Sequence, residues 1–158
     1  MAKPSYIGRA VRRIEDEQFL RGWARFTQDG ELADALQMTI VRSPYAHALI
    51  AGIDTHKAKT VPGFVTAVTG KELATWLNPF PTPPQSAGVR AQRRYPLAVD
   101  RVRFVGEGVV AVLAENAVAA VDAASEILVD YQELPAIIDP EKALAPEAPR
   151  VPPDWPDN

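Results

Sequence analysis

The most specific chemical signal in the chain is Gly106-Glu107-Gly108-Val109-Val110-Ala111, a formal match to the G-x-G-x-x-A dinucleotide fingerprint, with Asp130 about two dozen residues further on. That fingerprint needs its last small residue in the first turn of a helix whose N-terminus faces a pyrophosphate. Here Val109, Val110 and Val112 favour a strand, and the first good helix cap is Asn116. The preferred reading is a tight turn between two strands. A small dinucleotide-binding protein using Gly106, Gly108 and Asp130 is the alternative.

The remaining candidates read as structural. Two histidines, His47 and His56, are too few for a metal site unless carboxylates join them. His47, beside Pro44-Tyr45-Ala46, suits a hydrogen bond at a strand entry, and His56 a surface loop. Glu15, Asp16 and Glu17 are consecutive and point in different directions, which suits a solvated face rather than acid–base work. Ser43 has no G-x-S-x-G context, and Trp23, Trp76 and Trp155 are too dispersed for a nucleic-acid stacking platform.

Composition narrows the field further. At 158 residues without a cysteine, the chain fits one domain with a real core, and it has no thiolate for a disulfide, an iron–sulfur cluster, zinc or nucleophilic catalysis. A net charge of -3 gives no global attraction to nucleic acid or anionic membrane. The first residues lack a signal-peptide apolar run, and the longest apolar stretch, residues 109–114, is far too short to span a bilayer, so the expected location is the cytoplasm.

The elements that must position these residues follow from periodicity. Alternation over residues 36–41 predicts a strand, followed by strands at 48–54 and, after the Val61-Pro62-Gly63 turn, at 64–68. Residues 14–20 and 70–76 suit short helices. The β-branched runs 102–105 and 109–114 suit buried strands. Asn116 caps a helix over 117–126 with Val118, Val121, Ala124 and Leu128 on one face, and 127–131 returns to strand. The fold class is therefore α+β (mixed α/β), with a strand–helix–strand unit after an N-terminal arm. Prolines cluster at Pro79 to Pro84, a loop, and from Pro140 to Pro156, a linker, and residues from about Ala145 onward are expected to be extended and poorly packed unless a partner covers them.

Several phrases, read in order, resemble one family. They are Ile7-Gly8, Arg13 to Asp16, Phe19-Leu20-Arg21-Gly22, residues 24–29, Arg42-Ser43-Pro44-Tyr45-Ala46-His47-Ala48-Leu49-Ile50 and Ile53-Asp54. They continue through residues 62–70, Tyr95-Pro96-Leu97-Ala98, residues 102–107, 117–124 and 129–135, and Ile138-Asp139. Together they are similar to the a/b hammerhead domain that opens the molybdopterin-binding large subunit of the xanthine dehydrogenase, aldehyde oxidase and carbon monoxide dehydrogenase family. Gly108 departs from the proline common after Gly-Glu in that family, and residues 77–94 match nothing specific.

The resemblance implies a holoenzyme that hydroxylates an aldehyde or heterocycle, or oxidises carbon monoxide. Such an enzyme carries a molybdenum–pterin cofactor (molybdopterin cytosine dinucleotide) and two 2Fe–2S clusters, which pass electrons to FAD or another acceptor. It also implies partners: the remaining large-subunit molybdenum domains, an iron–sulfur subunit and an FAD subunit. This chain is expected to hold no catalytic, cofactor or metal residue and to act as a non-catalytic scaffold, either as a fragment or as part of a split subunit. A free-standing interaction module is a further alternative. The implied organisation is an arm at 1–20, the hammerhead domain at 21–144 and a proline-rich linker at 145–158. Arg42, Tyr45, His47, Gly106, Glu107 and Gly108 combine a fork-shaped donor, an aromatic, polar tips and glycines, a composition suited to a docking surface. Tyr45 and His47 could equally cap strands and fill the core.

Overall fold

The structure, a computed structural model, describes residues 6–30, 32, 34–80, 93–156 and 158. Most of the proline-rich loop expected after residue 77, and the first five residues, lie outside the described part. The described residues up to Asp34 form one compact unit and those from Ala35 onward a second.

The first unit holds a short helix, α1 (Asp16–Leu20). Glu17 pairs with Arg21 at 2.9 Å and Asp16 with Arg13 at 2.9 Å, so two of the three consecutive carboxylates serve surface ion pairs. Phe19 stacks on Phe26 with ring centroids 5.8 Å apart, and the Arg21 guanidinium lies over Trp23.

The second unit contains, in chain order, β1 (Gln37–Arg42), β2 (Ala48–Asp54), β3 (Phe64–Thr69), α2 (Gly70–Trp76), β4 (Arg101–Val102), β5 (Gly108–Ala114), α3 (Ala117–Ser125) and β6 (Leu128–Glu133). The strands make two three-stranded antiparallel sheets, ordered β1-β5-β3 and β4-β2-β6. This is the mixed α and β fold class expected. The strand–helix–strand stretch is present too, but β5 and β6 lie in different sheets, so it is not a parallel crossover.

The valine run explains why β5 sits at the centre. Successive strand residues face opposite sides, yet Val109 and Val110 are both fully buried, so both faces of β5 are covered. Each such side chain contributes about 2 kcal/mol by leaving water. The core joins these valines to Ala48 and Ile50 of β2 and to Ala58, Ala98, Val102, Ala123 and Ile127.

Helix α3 corrects one expectation. Asn116 does cap it, its side chain accepting from Ala119 N at 2.9 Å, but the buried face is Ala119, Ala120 and Ala123. Val118 and Val121 are exposed. Nearly every position of the helix is apolar, so periodicity could not choose a face. Packing against β1 and β5 selects the small side chains, which allow close approach.

The other short helix also has a cap, because the Thr69 side chain accepts from Glu72 N while the Glu72 carboxylate accepts from Thr69 N. Those bonds hold the Glu72 carboxyl below its usual range. At the start of α2, a Cβ on Gly70 would fall 1.9 Å from the Ala98 carbonyl oxygen, so only glycine lets residues 97–98 cross there. The tail is not extended as expected. Its prolines are accommodated in turns, and the Asn158 side chain donates to Pro149 O at 2.9 Å and accepts from Val151 N at 3.0 Å.

Candidate docking site

Residues 42–47, which link β1 to β2, and residues 103–108, which lead into β5, are stitched together. Arg42 Nη1 donates to Gly106 O at 2.9 Å, Gly106 N to Ser43 O at 2.8 Å and Ser43 N to Glu107 O at 2.9 Å. The structure therefore gathers all six sequence-predicted docking residues into one neighbourhood, although 55 residues separate the two segments in the chain.

Within that neighbourhood the residues face different ways. His47 is buried, and since a carbonyl only accepts, its Nδ1–H donates to Pro135 O at 2.8 Å. Its backbone oxygen accepts from Leu134 N at 2.9 Å, so one residue clamps the chain leaving β6. Nε2 is buried with no hydrogen-bond partner among the described residues. Ser43 is buried as well, its hydroxyl bonding both the N–H and the carbonyl of Tyr45 at 3.0 Å.

Tyr45 is half-buried and packs on Tyr131, with ring centroids 5.1 Å apart. Burial pushes the Tyr131 hydroxyl above a tyrosine's ordinary pKa, and the Ser43 hydroxyl only partly offsets this. No partner among the described residues meets hydrogen-bond geometry at that hydroxyl.

The 103–108 segment points outward. Gly106 has a φ of 88°, a left-handed conformation that suits glycine, and the Glu107 carboxylate accepts from Arg103 N to close the turn. Phe104 is 58% exposed and Val105 64% exposed at its tip. Sequence reasoning missed both. Residues 102–105 read as a buried strand, but pairing stops at Val102 because the turn reverses the chain. The two glycines differ from each other: the space beside Gly106 is open, whereas a Cβ at Gly108 would meet this chain's own Ile40 and Leu97 at 3.0 and 3.2 Å.

The dinucleotide alternative fails on this geometry. Residues 109–114 lie in β5 between β1 and β3, so no helix N-terminus follows Gly106 and Gly108, and Asp130 pairs with Gly52 in the other sheet. His56 is exposed, its N–H held by Asp54. Among the described residues no three His, Cys, Asp or Glu side chains converge into a metal donor set, and the chain has no cysteine. These residues do not fit a metal centre or a thiolate-held cluster. No helix among the described residues is long and apolar enough to cross a membrane.

Comparison with known proteins defines the class. Residues 21–135 match the model of the aldehyde oxidase and xanthine dehydrogenase a/b hammerhead domain. The chain is 37% identical to the carbon monoxide dehydrogenase large chain of Afipia carboxidovorans over 143 residues, covering 90% of this chain and 17% of that one. It is 36% identical to the nicotine 6-hydroxylase large subunit of Paenarthrobacter nicotinovorans, covering 87% of this chain and 17% of that one. The solved structure of quinoline 2-oxidoreductase from Pseudomonas putida 86 superposes with a TM-score of 0.80 at 38% identity, over 92% of this chain and 19% of that chain.

The chain belongs to the aldehyde oxidase and xanthine dehydrogenase family, the one its ordered sequence phrases resemble. Within that family it corresponds to the a/b hammerhead domain and spans less than a fifth of these relatives' length.

Proposed function

We propose that this chain is the scaffold module of a molybdenum hydroxylase, docking on the rest of the enzyme through the turn at residues 103–107 and contributing no reacting atom. The observation that carries the reading is an exposed aromatic and aliphatic pair, Phe104 and Val105, on a turn anchored by hydrogen bonds to the 42–47 loop and within itself. A pre-ordered apolar tip beside an arginine is what an interface hot spot needs, because little entropy is lost on binding. Arg42, Gly106, Glu107 and Gly108 hold and flank that tip, while Tyr45 and His47 turn inward onto Tyr131 and Pro135.

On this reading the assembled enzyme is cytoplasmic and hydroxylates an aldehyde or heterocycle, or oxidises carbon monoxide. Molybdopterin cytosine dinucleotide, two 2Fe–2S clusters and FAD reside on the remaining large-subunit domains and on iron–sulfur and FAD subunits. Residues 1–20 act as an arm, 21–144 as the hammerhead domain and 145–158 as a linker. The test is co-expression with the remaining large-subunit domains and the iron–sulfur subunit. Phe104→Ser combined with Val105→Ser should abolish co-elution while leaving the chain's melting temperature unchanged. Co-elution that survives the double substitution would overturn the proposal.

A further inference from the structure

Beside the exposed turn lies a cleft of about 710 Å³ lined by four arginines, Arg42, Arg93, Arg94 and Arg103, and by two carboxylates, Asp100 and Glu107. Both carboxylates are turned to internal duties. Glu107 accepts from Arg103 N to close the turn, and Asp100 lies 3.6 Å from Arg101 and 3.8 Å from Arg103. Arg42, Arg93 and Arg94 are exposed, and among the described residues no ion pair reaches them. Arg103 Nε is buried and lacks a hydrogen-bond partner among the described residues. A chain that is net acidic, at -3, thus gathers guanidinium groups at one cleft.

Guanidinium forks match carboxylates in shape and charge, and such pairs steer encounter and fix register at interfaces. Phe104, whose ring is the tip of the turn, also lines the cleft, so whatever fills it must cover an apolar surface as well. A small inorganic anion meets the first requirement and not the second.

We propose that this cleft receives an acidic segment of a partner polypeptide, its carboxylates on Arg42, Arg93 and Arg94 and an apolar side chain against Phe104. This deepens the docking reading and rests on it, since it names the chemistry of what docks.

The experiment uses the full chain and a labelled probe, an acetylated and amidated peptide of glutamates around a central leucine, followed by fluorescence anisotropy at low ionic strength. Saturable binding that weakens with salt is expected, and the same peptide with lysine for glutamate should not bind. Arg93→Glu with Arg94→Glu should weaken binding by about tenfold or more with the melting temperature unchanged. Absence of binding, or binding indifferent to the charge reversal, would overturn the acidic-segment proposal. So would sulfate displacing the peptide at equal concentration and matched ionic strength, because the cleft would then be a site for small anions. Co-elution of the same Arg93→Glu, Arg94→Glu chain with the large-subunit domains separates the two readings. Loss of peptide binding with assembly weakened supports both, whereas assembly intact alongside any of the overturning results removes the cleft and leaves docking through Phe104 and Val105 standing.

Discussion

The loop at residues 42–47 and the turn at 103–107 are joined by three hydrogen bonds, yet they turn opposite sides to solvent. The first sends His47 and Ser43 inward and rests Tyr45 on Tyr131, whereas the second holds Phe104 and Val105 out in water. The difference teaches that residue type alone does not mark an interface. Tyr and His look like binding residues and here serve as supports, while a Phe-Val pair that looks like a buried strand is the exposed one.

The largest expected effect should come from the inward loop. His47→Ala removes a buried ring, leaves Pro135 O without its donor and frees the chain after β6, so denaturant unfolding should show a loss of about 2–4 kcal/mol. A loss below about 0.5 kcal/mol, the range of ordinary surface changes, would show that the loop is not a support. Helix α3, whose position depends on its cap, gives a smaller benchmark. Asn116→Ala should cost about 1 kcal/mol by the same measurement, and no change would mean that the Ala119 N–H finds another acceptor.

The smallest effect concerns Tyr131 and has a definite sign. Its folded-state pKa is raised, chiefly by burial, so the neutral form favours the native state. The associated stability is fully present below the unfolded tyrosine pKa of about 10 and is lost as pH rises through the raised folded value. Urea unfolding stepped across that alkaline window should show a decline that Tyr131→Phe reduces. An identical decline in the phenylalanine variant would place the alkaline sensitivity elsewhere.

Where local physics decides, the elements were legible. The strand expected at 48–54 and the short helix expected at 70–76 fall on those residues in the structure. Residues 102–105 were not legible, because Val102, Phe104 and Val105 have strand chemistry and only the positive φ of Gly106 with the Glu107 carboxylate ends the strand. The α3 face was hidden for a related reason: in an alanine- and valine-rich helix, the fit to β5 rather than hydropathy selects what is buried. At the candidate site, composition identified the neighbourhood through Arg42 and residues 106–108, but the direction each side chain takes depends on hydrogen bonds between segments distant in the chain.

The central claim, that the outward turn is where this hammerhead domain meets the rest of its enzyme, is tested most directly by amide hydrogen exchange on the isolated chain and on the chain assembled with its partners. Docking predicts that peptides covering Phe104, Val105 and Gly106 become protected on assembly, while peptides covering His47 and Leu134, already protected in the free chain, change little. Exchange at residues 103–107 that is the same in both states, with assembly intact, would contradict it.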